Sequence, residues 1–137
     1  MNERSIERLK GVKPIIVDIM IESAKDSPYQ FEIPRDGGVR TTERQQEIYA
    51  YGRTDKSKKI RTYADGVKKK SNHQIKEDGY GHAADFYHVP DGGGASWDKK
   101  ILEEIARHIQ KVAIEKFGIK LTWGGDWKRK DLPHLQL

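Results

Sequence analysis

The stretch SNHQIKEDGYGHAADFYHV, residues 71–89, decides how this chain folds and raises the question of what it does. Its second half, HAADFYHV, alternates Ala83, Asp85 and Tyr87 against Ala84, Phe86 and His88, the period of two expected of a β-strand. Its first half is polar, has no period and reads as a loop feeding that strand. Three of the five histidines of the chain fall here beside Asp85. Imidazole and carboxylate crowded among small residues suit a metal site, a catalytic dyad, or an ordinary polar loop entering a strand.

Outward from this stretch the elements alternate. Towards the N-terminus, Ile6, Leu9, Val12, Ile15, Ile16, Ile19, Met20 and Ala24 recur at three and four, so residues 4–26 read as an amphipathic helical region that Pro14 breaks or restarts. PYQFEIP (28–34) sets Phe31 and Ile33 between polar neighbours and predicts a short strand, after which Asp36-Gly37-Gly38 turns the chain. Thr42 followed by Gln45 has the form of a capping box and predicts a helix over 42–51, stopped at Gly52. Residues 52–72 read as a long exposed loop. Beyond the strand, PDGGGAS breaks the pattern. Asp98 then starts a helix with Ile101, Ile105, His108, Ile109, Val112, Ala113 and Phe117 on one face, ended by Gly118. KLTWGGDW and PHLQL read as the last two strands. The expectation is one α+β domain over 1–137, a small and mostly antiparallel sheet packed by helices, with no separate wall-binding domain.

Composition bounds the chemistry. The 137 residues contain no cysteine, which excludes disulfides, thiolate metal sites and a cysteine nucleophile and leaves histidine nitrogen and carboxylate oxygen as metal ligands. The longest apolar run, PIIVDIM, is interrupted by Asp18, and MNERSIERLK lacks the apolar stretch of a secretory signal, so synthesis in the cytosol without membrane insertion is expected. Lys and Arg number 26 against 21 Asp and Glu, for a net charge of +5. The excess is densest in KSKKIR (56–61) and KKK (68–70). Anionic partners fit this balance, nucleic acid and bacterial cell wall alike, and so does a plain solvated surface. Among the histidines, His108 lies in a helix stripe and reads as structural, while His88 faces away from Asp85 on a regular strand. His73, Asp85 and His134, from three separate elements, are candidates for the three-ligand set of an open catalytic zinc site.

GVRTTERQQEIYAYGRT (38–54), SNH and GHAADF (71–73, 81–86), WGGDW (123–127) and DLPH (131–134) occur in one order. Together they resemble the zinc peptidases of the D-Ala-D-Ala carboxypeptidase and dipeptidase family, and within it the L-alanyl-D-glutamate peptidases that phages use as endolysins. The resemblance implies Zn2+ held by His73, Asp85 and His134, with Asp131 as general base and Arg40 set to bind the scissile carbonyl as it becomes an oxyanion. Ser71 matches the serine near the first histidine and implies a supporting role. Two departures stand out. The family's Ser-x-His-x-x-Gly-x-Ala-x-Asp is stretched by an inserted QIKEDGY between His73 and Gly81, which makes His82 a rival for the first ligand. Aspartate at 131 replaces the glutamate of many relatives, as in the endolysin branch. Trp123, Trp127 and Tyr80 are the aromatics nearest these motifs and are expected in core or rim packing. Arg53 and Lys68–Lys70 are candidates to meet carboxylates of a stem peptide.

The resemblance further implies hydrolysis of the peptide stem of peptidoglycan, between L-Ala and D-Glu, by a monomeric phage lysis enzyme. Such an enzyme would be made in the host cytoplasm and reach the wall through a holin-type lesion, with no nucleic acid as partner. Cleavage at D-Ala-D-Ala is the alternative within the family. A non-enzymatic basic module binding wall polymer or nucleic acid is the alternative outside it.

Overall fold

A computed structural model of the chain describes residues 1–137. The N-terminal amphipathic region is two helices, α1 (Glu3–Arg8) and α2 (Pro14–Ala24), with Pro14 in the first turn of the second, where its missing N–H and fixed φ cost nothing. Next come β1 (Phe31–Glu32), α3 (Thr42–Ala50), β2 (Ala83–Asp85), β3 (Tyr87–His88), α4 (Lys99–Phe117), β4 (Thr122–Trp123) and β5 (His134–Gln136). No helix is long and apolar enough to cross a membrane.

Helix α4 packs on α2 and also meets β3 and β4, burying Leu102, Ile105, Ala106, Ile109, Val112 and Ala113. Each large aliphatic side chain buried this way contributes about 1.5–3 kcal/mol relative to exposure. The buried stripe is turned slightly from the expected one. Leu102 and Ala106 lie inside, Ile101 and Phe117 pack at the margin, and His108 sits at the edge, where its Nε2 meets Ser23 O and Asp26 Oδ1 at 3.0 and 3.1 Å. Asp98 caps the helix by accepting from Ile101 N, and Gly118, at φ +66°, ends it in the left-handed conformation that glycine adopts without penalty.

Three local expectations need correction. The stretch expected as one strand is two, in different sheets. β2 pairs antiparallel with β5 in the order β2-β5-β4, opposing Asp85 to His134, whereas β3 pairs with β1, opposing Phe31 to His88. The change of sheet falls at Phe86. Its N–H donates to Pro133 O, its ring is fully buried edge-on against Phe31, and Pro133 has no N–H to continue the ladder. Glu32, a polar neighbour of Phe31 and Ile33 in the predicted strand, is buried like them, with Ser5 Oγ and the backbone N–H of Asn2 at the start of α1 donating to its carboxylate. The cap of α3 is Thr41 rather than Thr42. The Thr41 hydroxyl accepts from Arg44 N at 3.0 Å, while the buried Gln45 side chain is engaged elsewhere.

Candidate metal centre

The Asp36-Gly37-Gly38 turn does more than reverse the chain. Its three consecutive carbonyls accept, in order, from Arg40 Nε (3.0 Å), from the backbone N–H of Asp85 (2.8 Å) and from His73 Nδ1 (2.8 Å). The turn therefore fixes three of the side chains singled out in the sequence at once. It can lie this close because residue 38 has no side chain: a Cβ there would stand 1.9 Å from Arg8 O. Asp36 itself sits at φ +64°, a left-handed conformation that aspartate tolerates better than most residues. Its carboxylate takes two bonds from Arg44. Burial would raise that carboxyl, but the Arg44 guanidinium outweighs it and holds the pKa below the ordinary value.

His73, Asp85 and His134 converge and are all buried. His73 is presented by a turn in which the Ser71 hydroxyl accepts from its backbone N–H, the support expected of Ser71. The inserted segment does not displace it. His82 N donates to Asn72 O at 2.8 Å, and Gly81 is bonded to Gly11 and Lys13, so the exposed residues 75–80 form a protrusion whose ends are held together. The His82 ring turns out to Asp78 Oδ2 at 2.7 Å and is not in the cluster. His88 packs edge-on against Tyr29 and bonds Gln30 O, also away from the cluster.

The tautomers follow from the outer partners. Gly38 O can only accept, so His73 Nδ1 carries hydrogen and its Nε2 lone pair points inward. Gln136 Oε1 accepts from Asn72 Nδ2 (2.7 Å) and meets His134 Nε2 (2.8 Å), so His134 turns Nδ1 inward. The inward atoms are His73 Nε2, His134 Nδ1 and Asp85 Oδ1, separated by 3.2, 3.3 and 3.1 Å. Three acceptors facing one another at these distances repel unless a cation or proton sits among them. Tetrahedral zinc with bonds of about 2.0–2.1 Å needs ligand atoms about 3.3 Å apart, so the donor set and its spacing fit that ion. Burial would raise the Asp85 carboxyl, yet the two imidazoles overcome it and hold its pKa well below the carboxylate range. Burial likewise disfavours charge on His134, but Asp85 and Gln136 push its pKa up.

Arg40 is buried beside this group. Its Nη2 donates to Asp85 Oδ2 at 3.2 Å, which leaves Oδ1 for the cluster, and its Nη1 donates to Gln45 Oε1 at 3.2 Å. Asp131 lies just outside, with its carboxylate 3.9 Å from His134 Nδ1 and half its side chain open to solvent. Its crowded setting, then the Asp85 charge, raise its pKa. The WGGDW motif explains how Asp131 gets there. Its N–H donates to Gly124 O, a Cβ on Gly124 would meet Asp131 O at 2.3 Å, and Trp123 Nε1 holds Leu132 O at 2.7 Å. Trp123 is buried, whereas Trp127 tilts against the His134 ring with centroids 5.1 Å apart and lines the centre. Tyr80 is exposed on the protrusion.

The family model of phage L-alanyl-D-glutamate peptidases matches residues 1–134. The chain belongs to this family. Among relatives of the phage peptidases, the peptidoglycan L-alanyl-D-glutamate endopeptidase CwlK of Bacillus subtilis is 36% identical over 104 residues, 73% of this chain. This chain spans only 57% of the length of CwlK. Among solved structures, the L-Ala D-Glu endopeptidase ChiX of Serratia marcescens superposes with a TM-score of 0.70 at 30% identity, covering all of this chain and 88% of that one. The site of this family member includes residues that the sequence reading did not single out. Gln45 acts through side-chain bonds to Arg40, Thr62 and Ala64, Gln136 through bonds to Asn72 and His134, and Gly37 and Gly38 through backbone carbonyls. The glycine pair was the only visible signal for that turn.

Proposed function

We propose that the protein is a zinc peptidase that cleaves the L-alanyl-D-glutamate bond in the peptide stem of peptidoglycan and serves as a phage lysis enzyme, reaching the wall through a lesion made by another protein. The observation that carries this reading is the inward-facing triad His73, Asp85 and His134, whose outer nitrogens are each committed to an acceptor and whose ligand atoms stand at tetrahedral spacing. Zn2+ held there supplies a Lewis acid that polarises the peptide carbonyl and acidifies the attacking water. The chain's own residues do the rest. Asp131 is adjacent to the triad but outside it, with a raised pKa, and takes the proton of the water and passes it to the leaving amine. Arg40 has five N–H groups, of which Asp36, Gln45 and Asp85 use three. The remaining two offer fixed positive charge to the oxyanion, a contribution worth about 10²-fold in rate.

The test is digestion of purified sacculi, followed by mass spectrometry. Newly freed N-terminal D-Glu is expected, with activity abolished by exhaustive chelation and restored by zinc. Release of terminal D-Ala instead would move the reading to the D-Ala-D-Ala branch, and hydrolysis indifferent to chelation would remove it.

A further inference from the structure

A glutamyl residue within a peptide keeps one carboxylate free, whichever of its carboxyls carries the next bond. A site that cuts immediately before D-Glu therefore meets an anion on the leaving side. We propose that Arg61, two residues before Tyr63, and Arg129, whose guanidinium lies over the Tyr63 ring, bind that carboxylate and set the preference for a D-glutamyl residue; this rests on the peptidase reading above and names a specificity element of the same site.

The placement follows from a chain of contacts. Gln45 accepts from Arg40 with Oε1, and with Nε2 donates to Thr62 Oγ1 (3.2 Å) and Ala64 O (2.9 Å). Segment 61–64 of the long loop is thereby one side chain away from the arginine that holds Asp85. Arg61 begins that segment, next to the Thr62 that Gln45 holds, and its positive charge is felt by both Arg40 and Asp36. Arg129, two residues before Asp131, brings its guanidinium to 3.6 Å from the Tyr63 ring centroid. Tyr63 thus joins the loop to the segment that carries the proposed base.

Both arginines are exposed, and neither is paired with a carboxylate, whereas Arg40, Arg44 and Arg107 all are. Arg53, a candidate for this role from sequence, stands 5.5 Å from the Tyr63 ring centroid but stacks more closely on Tyr49, at 3.8 Å, and donates to the Tyr49 carbonyl. A guanidinium laid flat on an aromatic ring keeps its N–H edge free, and that planar fork matches a carboxylate in a way the neighbouring lysines do not.

The experiment compares kcat/KM on two stem peptides with an L-Ala-D-Glu bond, one with the glutamyl carboxylate free and one with it converted to the primary amide. The zinc-loaded wild-type protein is expected to prefer the free acid by about 10- to 100-fold, mostly in KM. In Arg61→Gln, Arg129→Gln and the double variant, the free-acid peptide should lose most of that factor and the amide much less, so the ratio collapses towards one with zinc content unchanged. The inference is overturned if the variants lose equally on both peptides, or if the wild-type preference survives in the double variant. A wild-type protein that binds zinc but cuts neither peptide overturns the peptidase reading itself.

Discussion

Replacing Gln136 by Leu tests whether the metal centre depends on the group that fixes His134. Gln136 Oε1 is the acceptor at 2.8 Å from His134 Nε2 and the partner of Asn72 Nδ2 at 2.7 Å. Leucine suits the β5 strand and keeps the side-chain bulk, so the strand register opposite Ala83 and Thr122 should persist. What disappears is the acceptor that keeps hydrogen on Nε2. The imidazole is then free to carry hydrogen on Nδ1, the nitrogen that must be bare to bind a metal. Loss of such an outer partner lowers metal affinity by about 10- to 100-fold, or about 1.4–2.7 kcal/mol. The stranded Asn72 amide costs stability as well, at the low end of about 1–3 kcal/mol because the position is only half-buried. Competition against a chromophoric zinc chelator measures the first quantity, and urea unfolding of the metal-free protein measures the second. Gln136→Glu restores an acceptor and should recover the affinity. Unchanged zinc affinity in the leucine variant, or equal loss in the glutamate variant, would refute the tautomer argument.

Three further outcomes follow from the same geometry. Gly38→Ala places a methyl 1.9 Å from Arg8 O, so the turn must move and carry its His73 acceptor with it; zinc affinity should fall at least tenfold, about the effect of losing an outer partner, as read by the same chelator competition. Asp131→Asn removes the proposed proton acceptor and leaves the proposed ligands intact, so peptide hydrolysis should drop by about 10²- to 10⁴-fold at unchanged zinc content, and preserved turnover would move the base elsewhere. Asp36→Asn isolates charge from conformation, because both residues tolerate the left-handed φ that this position requires. The folded-state pKa of Asp36 is depressed, so its contribution is fully present above its unfolded value of about 3.9 and is lost as pH falls through the folded value. Urea unfolding of the asparagine variant should therefore show reduced stability at neutral pH and a shallower decline below about pH 4; an acid limb identical to wild type would contradict the assignment.

The sequence revealed most where side-chain type and period carry the information. Asp98 and Gly118 marked both ends of α4, and His73, Asp85 and His134 stood out because only imidazole and carboxylate can serve as ligands in a chain without cysteine. The face of α4 was legible only approximately, since Leu102 and Ala106 satisfy the same spacing as Ile101 and His108 until α2 decides which side is covered. The division of HAADFYHV between two sheets was hidden because alternation reports the pleat and not the partner strand. Least visible were the carbonyls of Asp36, Gly37 and Gly38. Backbone acceptors exist at every position, and which of them matter depends on what the fold brings opposite.

That distinction makes the insertion between His73 and Gly81 a sharp test. If ligand placement were set by distance along the chain, the widened spacing would disturb the centre. The structure sets it instead by bonds across the neck of the protrusion: His82 N to Asn72 O, Gly81 N to Gly11 O, Lys13 N to Gly81 O, and, one step further out, Lys76 N to Tyr80 O. Residues 77–79 lie beyond all of these. Their one long-range attachment, the exposed Asp78–Lys13 pair, and the local Asp78–His82 pair contribute little in water. Deleting Glu77–Gly79 and joining Lys76 to Tyr80 gives up the outermost of these bonds, which consecutive residues cannot form, but keeps the other three and touches no partner of His73, so zinc affinity should stay within about threefold of wild type; a factor of three is below the tenfold expected when an outer partner is lost. A loss of tenfold or more in the chelator competition would show that the protrusion itself holds His73, and the neck bonds would no longer account for how a stretched motif keeps its ligand.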